Sequence, residues 1–206
     1  MCVSSTKAYF YSSSIEYIML IREGKLKDAK AITDCLLLAM EEITYQFIGK
    51  EDADLAWEFL HTLVQQEGNQ YSYNHTWVLE EEGEVLATAL IYDGGKLHEL
   101  RKPVEKLIKE KYHIEFNPED ETQYGEYYID CIAVKSNQQG RGLGTKILNH
   151  LIEEYIVKRA QVLGLLVDMD NPKAKKLYER LGFQFVNERY FMGRQMDHMQ
   201  IKPALI

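Results

Sequence analysis

Tyr127-Tyr128-Ile129-Asp130-Cys131-Ile132-Ala133-Val134 is an extended, largely apolar run, and Gln139-Gly140-Arg141-Gly142-Leu143-Gly144 follows it closely. Beyond these glycines, Leu143, Ile147, Leu148, Leu151, Ile152, Tyr155 and Ile156 recur at helical spacing. The segment therefore reads as strand, glycine-rich turn and helix, the helix running to about Arg159. Such a turn aims several backbone N–H groups and the positive end of a helix dipole at one point beyond the strand, where a phosphate-bearing ligand can sit. The same pattern can also be a tight turn with no ligand.

Spacing narrows the ligand. A dinucleotide fingerprint starting at Gly140 needs a third glycine where Thr145 stands, and one starting at Gly142 meets Ile147. A P-loop needs Gly-Lys-Ser/Thr, whereas here Gly144-Thr145-Lys146 reverses the last two. Gln139-x-x-Gly142-x-Gly144 instead resembles the acyl-CoA pyrophosphate loop of the GNAT acetyltransferase superfamily. A second stretch, Asn171-Pro172-x-Ala174-x-x-Leu177-Tyr178-x-x-Leu181-Gly182-Phe183, is similar to that superfamily's other hallmark, an asparagine-led helix closed by a Gly-Phe turn. The two occur in the superfamily's order and at a typical distance, and the resemblance extends over roughly residues 19–201.

Composition agrees with an enzyme of this kind. The 206 residues suffice for one domain with a full core, and 46% apolar with 27% charged residues is the balance of a soluble globular protein. A net charge of −8 argues against a nucleic-acid partner and mildly favours a cationic acceptor. No apolar run approaches the ~20 residues of a membrane span. Cys2, Cys35 and Cys131 have neither metal nor disulfide spacing, so no metal is expected and a reducing cytoplasm is the simplest setting. Residues 1–18 lack the pattern of a signal peptide and read as an extension, with Met19 opening a single domain over 19–206.

Along that domain, Met19–Arg22 reads as a strand. A helix capped near Asp28 carries Ile32, Leu36, Met40, Ile43 and Phe47 on one face, and a second helix starts near Asp52. Residues 76–79 and 85–91 read as a hairpin about Glu82-Gly83. Residues 96–123 form a helical face with Pro103 near the start of its main turn, then an acidic stretch from Glu115 to Thr122. Leu163–Asp168 is a buried strand, and residues 183–186 and 196–201 are two closing strands.

The resemblance implies an α/β fold: a mixed, twisted sheet of six or seven strands flanked by helices, with splayed central parallel strands at 127–134 and 163–168. It also implies acetyl-CoA as co-substrate and acetyl transfer to a primary amine, on a small molecule or a peptide. The alternative is a non-catalytic acyl-CoA-binding sensor module. The oligomeric state stays open, homodimers being common in the superfamily. By resemblance, the N–H groups of Gln139, Gly140, Arg141, Gly142, Leu143, Gly144 and the following Thr145 receive the pyrophosphate, and the backbone of Ile132 and Val134 receives the pantetheine. Asn171 aligns with a CoA-contacting asparagine, and is equally an N-cap.

Tyr178 aligns with the tyrosine that protonates the departing thiolate, a task a phenol with a reference pKa near ~10 can perform; on helical spacing alone it is a packing aromatic. For the base, Glu126, Tyr128 and Asp130 share one face by strand alternation. Asp130 falls where polyamine-type members carry a glutamate, or else it orders a neighbouring loop. The acceptor cleft is expected between the 96–123 insertion and the turn joining the first two helices, with Glu115, Glu119, Asp120 and Glu121, joined by Glu126 and Asp130, making it acidic; the alternative is that these carboxylates only solvate a loop.

Overall fold

A computed structural model of the chain describes residues 19–204. The expected extension at 1–18 lies outside the described residues. Seven strands form one sheet: β1 (Met19–Glu23), β2 (Thr76–Glu81), β3 (Glu84–Asp93), β4 (Tyr127–Val134), β5 (Leu163–Asp168), β6 (Gln184–Phe191) and β7 (Arg194–Ile201). Their order is β1-β2-β3-β4-β5-β7-β6, with β4–β5 the one parallel pair. This is the expected mixed sheet flanked by helices.

Alternation along the strands separates two cores. On one face α1 (Ala29–Ile48), α2 (Ala53–Val64) and α3 (Leu97–Tyr112) pack Ile32, Leu36, Phe47, Phe59, Leu63 and Val104 over Val78, Leu90 and Cys131. On the other, α4 (Leu143–Leu151) sets Leu143, Ile147 and Leu151 against Ile129, Leu165 and Val167, and α5 (Pro172–Arg180) adds Leu177 and Tyr178. The helix starts follow from the sequence: Asp52 accepts from Leu55 N at 3.1 Å and Asn171 from Ala174 N at 3.1 Å.

β4 and β5 pair only at Tyr127↔Leu163, Tyr128↔Gly164 and Ile129↔Leu165. Beyond that rung they part, β4 remaining paired to β3 and β5 to β7. Below it, the buried Glu126 carboxylate takes His198 Nε2 at 2.9 Å, Gln200 Nε2 at 2.6 Å and the Thr122 hydroxyl at 2.8 Å. A Cβ on Gly164 would collide with that carboxylate, so glycine on β5 is what admits it.

Three elements differ from the sequence reading. α3 begins at Leu97 and holds Pro103 in its interior, because the turn before it is already fixed by Asp93 accepting from Gly95 N at 2.9 Å. The helix after the loop changes at Ile152 into a π-helical segment reaching Lys158, in which the Tyr155 ring lies tilted against Tyr127 at 4.8 Å between ring centres; apolar spacing cannot distinguish the two windings. The closing strands are longer than expected because their outer residues, such as Asn187, Glu188 and Arg189, carry no apolar alternation.

Candidate active site

The loop after β4 enters α4 through two left-handed residues, Gly140 (φ 80°) and Gly142 (φ 73°). An added Cβ at Gly142 would meet nothing within 4 Å, so the backbone angle, not space, calls for glycine there. Gly142 has no side chain to cap the helix. The N–H groups of Leu143, Gly144 and Thr145 precede the first helical hydrogen bond, Lys146 N to Gly142 O at 3.0 Å, and so point out of the helix start. Gln139 and Gly140 are exposed beside them. The Arg141 guanidinium donates to both Glu81 oxygens at 3.0 Å and to Gln138, which directs its charge toward the β2–β3 turn.

Lys135 N donates to Leu86 O at 3.0 Å, fixing which residues of β4 face β3. Alternation from that bond turns the backbone N–H and C=O of Ile132 and Val134 away from β3, into the gap where β5 has departed. The strand register slips between Leu90↔Cys131 and Ile91↔Ile129, leaving Asp130 as the extra residue of a bulge. As bulges do, it re-aims side chains: Asp130 and its neighbour Cys131 both line one cavity of about 280 Å³.

The cavity lies where the two central strands separate. β4 contributes Asp130 and Ile132 just past the last rung, and β5 contributes Leu166 and Asp168. The second half of α1 forms a wall with Met40, Ile43 and Phe47; Met40 is a non-helical kink (φ −133°, ψ 25°) whose carbonyl takes the Thr44 hydroxyl at 2.8 Å. The opposite wall is the β6–β7 hairpin, with Phe191, Arg194 and Met196. Glu121 and Tyr71 also line it.

The acidic cleft expected from residues 96–123 is corrected here. Glu115 pairs with Lys109 at 2.7 Å, Asp120 with His98 and Arg101, and Glu119 accepts from Met192 N. Only Glu121 of the four lines the cavity, and it is buried, tied to Arg101 and taking Tyr92 OH at 3.0 Å and Gln70 Nε2 at 3.2 Å. The walls are the α1 kink and the β6–β7 hairpin, not the α1–α2 turn. A hairpin turn at Met192-Gly193, both with positive φ, gives little sequence signal because its first residue is not Asn, Asp or Gly.

Burial pushes the Asp130 carboxyl up to about 7; the Glu121 carboxylate adds to this, while Tyr92, Gln70 and Arg101 oppose it. Burial and Asp130 together push the Cys131 thiol up, so it stays protonated and is no nucleophile. Tyr178 is half-buried against Phe183 (5.9 Å between ring centres); burial and, secondarily, Cys131 raise its phenol above the usual value. Glu126 shares the sheet face of Tyr128 and Asp130, but it does not line the cavity. Burial pushes its carboxyl up, and the hydrogen bonds from His198, Gln200 and Thr122 outweigh that and hold it low. His198 was missed in the sequence: a single histidine on an alternating strand carries no motif, and only its burial opposite Leu166 reveals a partner for Glu126.

The chain as a whole matches known proteins. The sequence profile of the Acetyltransferase (GNAT) family matches residues 39–183. A solved acetyltransferase superposes with a TM-score of 0.75 at 29% identity, covering 89% of this chain and 98% of its own. The chain belongs to the GNAT acetyltransferase family. Among curated relatives, the mycothiol acetyltransferase of Corynebacterium aurimucosum is 35% identical over 75 residues, 36% of this chain and 24% of that protein. The spermine/spermidine N(1)-acetyltransferase of Bacillus subtilis is 34% identical over 82 residues, 38% of this chain and 52% of that protein. The matches thus span a quarter to a half of these relatives' lengths. Among the described residues no helix is long and apolar enough to cross a membrane, and no cluster of three or more metal-ligating side chains occurs.

Proposed function

We propose that the chain is an acetyl-CoA-dependent N-acetyltransferase acting on a primary amine. The observation that carries this reading is the junction of gap and cavity: both open at the first residues past Ile129↔Leu165, so a ligand in the gap and one in the cavity meet beside Asp130 and Ile132. The chain's groups fit acetyl-CoA on either side of that junction. The free N–H groups of Leu143, Gly144 and Thr145, with the backbone of Gln139–Gly142, suit a pyrophosphate. The gap-facing backbone of Ile132 and Val134 suits the amides of pantetheine, which extend the edge of β4 as a strand would.

Acetyl-CoA supplies the activated acetyl thioester. The Ile132 N–H is in position to donate to the oxygen on which charge develops. Asp130 in its ionised form attracts the acceptor's ammonium and takes its proton, leaving the amine lone pair free to attack. Tyr178, kept protonated by burial, gives its proton to the departing sulfur, and the proton that the nitrogen sheds on becoming an amide restores the phenol through solvent. The transfer to sulfur is uphill by at least ~1.5 pK units on reference values of ~10 for a phenol and ~8.5 for a thiol, a cost of about 2 kcal/mol offset as the carbon–sulfur bond breaks. Asn171 caps α5 beside this site and needs no further role for that geometry.

Thermal melting with acetyl-CoA, followed by free-thiol release with amines, tests the reading. At ~100 times its Kd, acetyl-CoA should stabilise the wild type by roughly 2.7 kcal/mol. Gly142→Asp strains the left-handed backbone, so its melting without ligand is measured first; in the folded variant a carboxylate stands where the pyrophosphate belongs and the shift should be lost. Equal shifts in the two proteins would remove the loop from the binding site.

A further inference from the structure

Resting on the N-acetyltransferase reading, we infer that the acceptor is an amine with one positive charge on a compact apolar body, an arylalkyl or branched alkyl amine, and not a polyamine. The charges set the number of cations the cavity takes. Three carboxylates line it. Glu121 is bound to Arg101, and Asp168 to Arg194 at 3.0 Å. Asp130 alone makes no ion pair among the described residues, Arg101 acting on it only through space. One ammonium is therefore satisfied at Asp130, beside the gap.

A second ammonium has no equivalent place. The remaining lining is mostly apolar, with Ile43 and Phe47 on one wall and Phe191 and Met196 on the other. Taking an ammonium out of water against such walls without a carboxylate is unfavourable. At the hairpin, Asp168 is held by Arg194, so the one lining carboxylate on that side does not stand free for a second ammonium. The same walls favour an uncharged body: rings and branched chains gain from burial against aromatic faces, and Met40 and Met196 adapt to shape. The volume of about 280 Å³ lies just below the range of small-molecule pockets (~300–1,000 Å³), which suits a body of one ring.

The test uses two readouts on the whole chain. The first is binding of 2-phenylethylamine, spermidine and Nα-acetyl-lysinamide by calorimetry without acetyl-CoA. The second is kcat/KM for the same three by thiol release. The expected result is that 2-phenylethylamine exceeds both others at least tenfold in each readout, and that Asp130→Asn weakens its binding at least tenfold while still unfolding in one cooperative transition. A second variant, Ile43→Glu, adds a carboxylate to the apolar wall and should raise spermidine relative to 2-phenylethylamine about tenfold. Spermidine or the lysine derivative matching 2-phenylethylamine in the wild type overturns the inference, as does binding indifferent to both variants. Selective amine binding without any acetyl-CoA shift or thiol release would instead overturn the transferase reading and leave the amine preference standing, so the two failures are distinct.

Discussion

If Asp130, its carboxyl pushed up to about 7, is the base proposed above, an acceptor amine near ~10.4 makes the first proton transfer uphill by roughly 4–5 kcal/mol. Apolar walls reduce that gap by disfavouring the ammonium, and bond formation at nitrogen removes the rest. Two consequences follow from the raised value. In catalysis, kcat/KM should climb with pH through about 7, and Asp130→Asn should abolish that limb; a variant retaining it would assign the titration elsewhere. In stability the sign is the reverse of an ordinary salt-bridged carboxylate. Between about 4 and 7 the folded chain holds a proton that the unfolded chain has lost, so stability falls as pH rises through that window and stays reduced above it. Asp130→Asn should therefore melt higher than wild type at pH 8 and show little gain at pH 4, measured by calorimetry at both pH values. Tyr178→Phe is a cleaner change, since the ring keeps its contact with Phe183. Its melting temperature and acetyl-CoA affinity should hold while kcat falls by about 10²–10⁴-fold. An unaltered kcat would leave Tyr178 as a packing residue.

The paired end of β4 and β5 is clamped by a buried carboxylate. Glu126 ties the entry of β4 to His198 and Gln200 of β7 across Gly164 of β5, at the end opposite the gap. His198 Nδ1 has no hydrogen-bond partner among the described groups, so the ring's tie to the carboxylate runs through Nε2 alone. Glu126→Gln replaces one acceptor with a donor aimed at donors, and should cost about 1–3 kcal/mol in denaturant unfolding. Glu126 is held low, so its stabilising contribution exists above ~4.3 and is lost only as pH falls through the lower folded value. The penalty in the variant should therefore persist at pH 6 to 8 and shrink in acid; a penalty constant into strong acid would deny the carboxylate its part. Much of this element was readable beforehand. β4, the loop and the start of α5 follow from apolar runs and fixed glycine, asparagine and proline positions, which are local signals. The bulge at Asp130 has no such mark, being a register mismatch between β3 and β4. Glu121, His198 and the hairpin wall depend on contacts between residues far apart in the chain. A charged stretch such as 115–121 reads the same whether its carboxylates face a cavity, a guanidinium or solvent.

Across the whole molecule, a net charge of −8 creates an attractive field for cationic amines, yet most of the carboxylates nearest the cavity are already paired. What reaches an approaching amine is the diffuse field of the surface plus the uncompensated Asp130. The diffuse part is screened over ~8–10 Å at physiological salt, whereas the charge within the cavity is screened much less. Raising ionic strength should accordingly lower kcat/KM for a cationic amine by less than tenfold, through encounter rather than through the chemical step. Glu119 and Asp120 lie on the far side of this balance, engaged with Met192 N and with His98 and Arg101. A Glu119→Gln, Asp120→Asn double variant should therefore keep both the wild-type kcat/KM and its salt slope, measured between low and high sodium chloride. Asp130→Asn should lower kcat/KM at every salt concentration and leave the slope nearly intact. If the double variant instead flattened the slope, the acidic segment before β4 would be steering the substrate, and the cavity's own charge would not be what selects the amine.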